Sequence, residues 1–167
     1  LNRLLMQYRE IKLDDKIYKL FTNDLANSRK VIYCTDNCGE IVLDKLLIKY
    51  LTLYYPQLEI QVIVRGEEIG NDASIEDAEN ISMQEVAAFE GNGTTIAGTS
   101  LHLLSDELKK KFYKADMIIS KGQGNYETLS GSGLNIYYLF LCKCNHLQKI
   151  FLAKFLDPIF SMECERR

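Results

Sequence analysis

The chain has 167 residues, 47% of them apolar and 26% charged, which suits one domain with a sizeable core. Its 20 Lys and Arg against 23 Asp and Glu give a formal net charge of −3, which argues against a nucleic-acid partner that would need a basic face. No apolar run approaches the roughly 20 residues of a membrane span, and an odd, unpatterned set of 5 cysteines reads as free thiols. A cytoplasmic location with no membrane partner is the expectation.

Residues 1–28 read as a helical segment. Leu4, Leu5 and Tyr8, then Ile17, Leu20, Phe21 and Leu25, fall near helical spacing over 2–10 and about 14–27. Because the chain opens at Leu1 directly in this pattern, the segment is expected to be a remnant of a larger helical region. An α/β domain is expected over 29–167. Its first strand spans 31–34 and hands over at Asp36-Asn37-Cys38-Gly39 to an amphipathic helix over about 39–54, ended by Pro56. "EIQVIVR", 59–65, is a second strand, followed by the loop "GEEIGNDAS". Ser74 and Asp77 form a capping box for a helix to about Asn80. Residues 82–89 read as a further helical turn or two, and the glycine-rich 90–100 as loops around a short strand. "SDELKKKFYKA" is a charged helix, "DMIISKG" a third strand and "NIYYLFLCKC" a fourth, with a last helix over about 146–156. Strands alternating with helices predict a Rossmann-like three-layer α/β sandwich with a largely parallel sheet.

In such sheets ligands lie beyond the carboxyl ends of the strands. The four strand ends lead into Asp36-Asn37, Arg65…Asn71-Asp72, Lys121-Gly122 and Lys143, so polar, charged and glycine residues are expected on one edge. Asp36, Asn37 and Asp72 offer hard oxygen donors of the kind Mg2+ or Mn2+ prefers. Gly39 and the "SKGQGNYE" turn, 120–127, leave backbone N–H groups open to an anion. With Lys143 these describe a phosphate-ester site and metal-assisted hydrolysis. Local readings compete. Asp36 or Asn37 alone could be a helix cap, Glu76 and Asp77 suit a helix's first turn, Glu40 is ambiguous in the same way, and Lys143 could simply reach solvent. Cys142, Cys144 and His146 alternate, but no fourth ligand completes a zinc site. Cys34 and Cys38 read as small packing residues. His102 and His146 form no pair for acid–base work, and neither a dinucleotide nor a P-loop motif is present.

Four blocks, "TDNCGEIVLDKLLI", "VIVRGEEIGNDASIEDA", "ADMIISKGQGNYETL" and "LFLCKC", in this order and over roughly residues 28 to 155, together resemble the signature blocks of the DUF89 family, the metal-dependent damage-control phosphatases. The resemblance implies hydrolysis of phosphate esters of small metabolites, sugar phosphates and damaged or side-product phosphometabolites among them, with Mg2+, Mn2+, Co2+ or Ni2+. It carries the metal ligands onto Asp36, Asn37 and Asp72 and the phosphate-binding lysine onto Lys143, which makes these four the catalytic candidates. The substrate-contacting turn falls on Gln123, Gly124, Asn125, Tyr126 and Glu127, with Lys121 and Gly122 leading into it. The "KC" ending is similar to the prokaryotic and archaeal-type branch. A branch with an R-T-x-K pattern would want Arg and Thr where Phe140 and Leu141 stand. Glu68 occupies a position that is proline in many relatives. The attacking group stays open between an activated water and Asp36 itself. A non-catalytic phosphometabolite-binding module and a nucleotide- or cofactor-binding domain are the alternatives. Nothing in the pattern assigns an oligomeric state.

Overall fold

The computed structural model describes residues 13–163, so the helix expected over 2–10 lies outside the described residues. Asp14 opens the first helix, α1 (Asp15–Asn27), its Oδ1 accepting from the amides of Lys16 and Ile17. The strands β1 (Lys30–Cys34), β2 (Glu59–Val64), β4 (Met117–Lys121) and β5 (Ile136–Leu141) are the near-continuous apolar runs expected of strands covered on both faces. Between them lie α2 (Ile41–Tyr54), α3 (Ile75–Asn80), β3 (Ala88–Gly91), α4 (Asp106–Lys114) and α5 (Gln123–Leu129). The chain closes with α6 (Asn145–Phe151) and β6 (Pro158–Met162).

The sheet order is β3-β2-β1-β4-β5-β6. All neighbours run parallel except β5 and β6, which are antiparallel. Alternation along each strand divides the core into two layers. Val31, Tyr33, Val62, Ile119 and Tyr137 meet Leu25 of α1 and Ile41 and Ile48 of α2 on one face. Ile32, Ile63, Ile118 and Tyr138 meet Leu108 and Phe112 of α4, Leu129 of α5 and Leu147 of α6 on the other. No helix among the described residues is long and apolar enough to cross a membrane.

Three expectations need correction. Residues 82–89 form only a short 3-10 turn, Met83–Glu85, and then enter β3. The short strand therefore precedes the glycine-rich loop instead of lying inside it. The last helix stops at Phe151, because Leu152 takes a left-handed conformation with φ 50°, and the chain doubles back into β6. Cys38 is exposed, so of the two cysteines near β1 only Cys34 packs in the core.

Candidate functional site

Parallel pairing sends the carboxyl ends of β1, β2, β4 and β5 to one edge. The chain builds outward from β1 to β3 and then returns to the other side of β1 as β4, so β1 and β4 flank the point where the strand order reverses. Asp36 leaves β1 at that point and Lys121-Gly122 leave β4. The loop after β2 is brought alongside by backbone pairing. The Ala73 amide donates to the Asp36 carbonyl at 2.7 Å, the Cys38 amide donates to the Asn71 carbonyl at 2.9 Å, and Asn37 faces Asp72 in an antiparallel bridge. The capping box between Ser74 and Asp77 anchors the far end of this loop at the start of α3. Asn37 Oδ1 accepts from the Gly39 amide at 2.8 Å while the Asn37 carbonyl takes the amides of Glu40 and Ile41, so Asn37 shapes the turn into α2. Asp36, Asn37 and Asp72 thus lie side by side.

Gly122 has φ +84°, and a Cβ there would fall on the Asp36 carboxyl group, so the glycine is the cradle in which that carboxylate rests. Burial first, then the neighbouring charges of Asp72 and Glu40, push the Asp36 carboxyl up to about 6 against the pull of Arg65 and Lys143. Crowded negative charge of this kind is what a divalent cation relieves. Among the described residues no three His, Cys, Asp or Glu side chains gather into a metal cluster. An ion here would rest on two carboxylates, the Asn37 amide oxygen and waters, the sparse oxygen set that suits Mg2+ or Mn2+.

Beneath the carboxylates, Arg65 is buried and holds the loops together. Its Nε donates to Asp72 Oδ2 at 2.6 Å, and its Nη1 donates to the Gly98 carbonyl at 2.8 Å and to Thr99 Oγ1 at 3.1 Å. Asn125, fully buried, completes the brace: its Nδ2 donates to the carbonyls of Thr35 and Lys121, and its Oδ1 accepts from Thr99 Oγ1 at 2.8 Å. Lys121 donates to Asp44 Oδ1 at 2.9 Å and Glu40 Oε2 at 3.0 Å, and the Tyr33 hydroxyl donates to the same Asp44 oxygen at 2.7 Å. Burial would lower the Lys121 ammonium, but Asp44 and Glu40 outweigh it and hold it above its ordinary value.

The residues of the expected turn divide. Lys121, Gly122 and Gln123 line a cavity of about 730 Å³ together with Asp36, Glu40 and Lys143. Gly124 backs onto Gly98, and Asn125 lies under the site instead of on its wall. Tyr126 packs among Tyr138, Phe140 and Phe151, with ring centroids 5.0, 5.2 and 5.3 Å away. Glu127 is exposed and accepts from Gln123 Nε2 at 2.9 Å. Lys143 is exposed just past β5, and its amide donates to Gln123 Oε1 at 2.9 Å, which ties the two turns together. Cys142 is buried while His146 is exposed, so that alternation does not converge on one point. Arg65 stood among the strand-end residues without a role, and Asp44 and Thr99 carried no signal. The cue for Arg65 is a guanidinium ending a β-branched run, since a buried charge needs a partner.

Residues 4–154 match the damage-control phosphatase ARMT1-like domain. A damage-control phosphatase of Pyrococcus horikoshii is 35% identical over 140 residues, covering 81% of this chain and 48% of that protein. One of Archaeoglobus fulgidus is 40% identical over 120 residues, 71% of this chain and 41% of that protein. An uncharacterized protein of Methanocaldococcus jannaschii is 38% identical over 141 residues, 81% of this chain and 45% of its own length. The crystal structure of a DUF89 family protein from Pyrococcus horikoshii superposes with a TM-score of 0.85 at 29% identity, over 97% of this chain and 57% of that one. The chain spans about half the length of the curated relatives it matches.

Proposed function

Because the chain belongs to the damage-control phosphatase ARMT1-like (DUF89) family, we propose that its carboxyl-edge site hydrolyses phosphate monoesters of small metabolites, a class that includes sugar phosphates and damaged or side-product phosphometabolites. The observation that carries the reading is the meeting of Asp36 with the Gly122 cradle at the β1–β4 junction, with the Asp72 charge close by and Lys143 lining the same cavity as Asp36. Asp36, Asn37 and Asp72 would hold a divalent cation, Mg2+, Mn2+, Co2+ or Ni2+. Such an ion supplies Lewis-acid polarisation of a phosphoryl oxygen. Lys143, within electrostatic reach of Asp36, sets a positive point charge against the developing charge of the transferring phosphoryl group. Lys121, Gly122 and Gln123 of the turn after β4 line the same cavity, and Gln123 fixes the Lys143 backbone, so the cation is delivered from a braced turn.

The test is phosphate release from a panel of phosphate esters with Mn2+, Co2+ or Mg2+ added. Lys143→Ala should lower turnover by about 10²-fold, while Mn2+ affinity measured by calorimetry stays within about 3-fold, because lysine is not a ligand of the ion. Full turnover in that variant would remove Lys143 from the site. Absence of any phosphate release from the parent chain would favour the non-catalytic phosphometabolite-binding reading.

A further inference from the structure

The 730 Å³ cavity has two unlike ends. At one end Asp36, Gly122 and Lys143 gather the polar groups. The other end runs along the sheet face between α1 and α2, where the wall is Ile17, Tyr18 and Phe21 of α1, Leu47 of α2, Leu139 of β5 and Phe160 of β6. Apart from the Tyr18 hydroxyl and the neighbouring Ser161 of β6, that wall is carbon. Asp14, at its rim, already spends its Oδ1 capping α1. A volume of this size is ample for a whole small-molecule ester, and an apolar body with polar groups at one end is the usual make-up of a ligand site.

We infer that this wall reads the leaving group: within the phosphate monoesters, the site prefers those whose alcohol carries an apolar, ring-bearing body over those of polyols. The inference rests on the phosphatase reading, since the phosphate must sit at the Asp36 end for the alcohol to lie on the wall. A polyol laid there would exchange its water hydrogen bonds for contacts with Ile17, Phe21, Leu139 and Phe160, which return none. A ring loses nothing by the same move and gains the buried area. An apolar pocket discriminates against an added hydroxyl by up to about 10²-fold. The expected preference is therefore about 10-fold or more.

The substrates should be esters of primary alcohols, so that the intrinsic reactivity of the leaving group is alike. With Mn2+ present, kcat/KM for benzyl phosphate and 2-phenylethyl phosphate should exceed that for glycerol 1-phosphate and glucose 6-phosphate by about 10-fold or more. Tyr18→Ser, at a half-exposed position, and Ile17→Asn should each lower the ratio of kcat/KM for the ring-bearing esters to that for glycerol 1-phosphate by about 3-fold or more. Equal rates for the two classes, or variants that lose both equally, would overturn the inference. Calorimetry of benzylphosphonate against 2,3-dihydroxypropylphosphonate reads the same wall without turnover. If no ester is hydrolysed, the phosphatase reading falls, and tighter binding of benzylphosphonate still upholds the wall. Equal phosphonate affinities would refute it.

Discussion

A guanidinium that is 2% exposed has to be satisfied from within the protein, and Arg65 draws its partners from two loops and a helix, at Asp72, Thr99 and Asn125 of α5. Removing it strands the Asp72 carboxylate beside Asp36. Arg65→Met should cost about 3–5 kcal/mol of stability, the range for breaking a buried ion pair, and should loosen Mn2+ binding as Asp72 loses its hold. Arg65→Lys keeps the charge but not the fork, and should recover only part of both; urea unfolding and calorimetry read the two effects. Asp36 gives a second prediction, on pH. Its carboxyl is raised to about 6, first by burial and then by Asp72 and Glu40, so the fold binds that proton more tightly than the unfolded chain does. The resulting stability is fully present below about pH 4 and is lost as pH rises through about 6. In EDTA, Asp36→Asn should therefore gain on the parent as pH goes from 4 to 7.5, by about 1–2 kcal/mol once partial exposure is allowed for. A gap that does not change with pH in thermal melts would contradict the shift. That Asp36, Asn37 and Asp72 share the carboxyl edge was legible because polar residues at strand ends are a local pattern. The partners of Arg65 were not, since Thr99 and Asn125 lie 34 and 60 residues away and meet it only in the fold.

At the scale of the elements, the junction of β4 and α5 leaves no room for a side chain. Gly122→Ala would meet two penalties, a positive φ and a collision with the Asp36 carboxyl. Gly131 separates them, because its φ of +83° is nearly the same and nothing lies within 4 Å of a Cβ built there. Both alanine variants should lose about 1 kcal/mol or more from backbone strain. Only Gly122→Ala should also displace the carboxylate and lower Mn2+ affinity by more than 10-fold, about the effect of disturbing a group that orients a metal ligand. Equal metal affinity in the two variants would mean that the Asp36 contact does not matter. The strands that build this junction could be read in advance, since β1, β2, β4 and β5 are apolar runs buried on both faces. The edge strands could not. β3 is four residues long and half-buried, and β6 opens with a proline at the sheet's margin, where period and composition carry little. The helix expected across 152–156 failed for a related reason, as a left-handed Leu152 leaves no mark in hydrophobic spacing.

Across the whole molecule, the sequence pattern placed a boundary at residue 28, between α1 and the sheet. Substantial packing crosses it. The Phe21 ring lies edge-on to Tyr137 of β5 and Phe160 of β6, with centroids 5.1 and 5.4 Å away. Leu25 is 1% exposed within the layer that holds Val31 and Tyr33. Asp24 Oδ2 accepts from the Tyr137 hydroxyl at 3.0 Å and from Asn135 Nδ2 at 2.9 Å. These contacts join the helix to the two strands at the far margin of the sheet, and the same Phe21 and Phe160 wall the cavity. The helix and the sheet should therefore unfold as one cooperative unit. Phe21→Ala should cost about 2–3 kcal/mol, less than a fully buried ring because Phe21 keeps some exposure. In a double-mutant cycle with Phe160→Ala the pair should couple by about 0.5–1.5 kcal/mol. Hydrogen exchange supplies the independent readout: the amides in the middle of α1 should open with the same free energy as those of β5. If α1 instead exchanges several kcal/mol sooner, and Phe21→Ala leaves the denaturation midpoint of the sheet where it was, the helix is a separable appendage and the wall it lends to the cavity is not a fixed one.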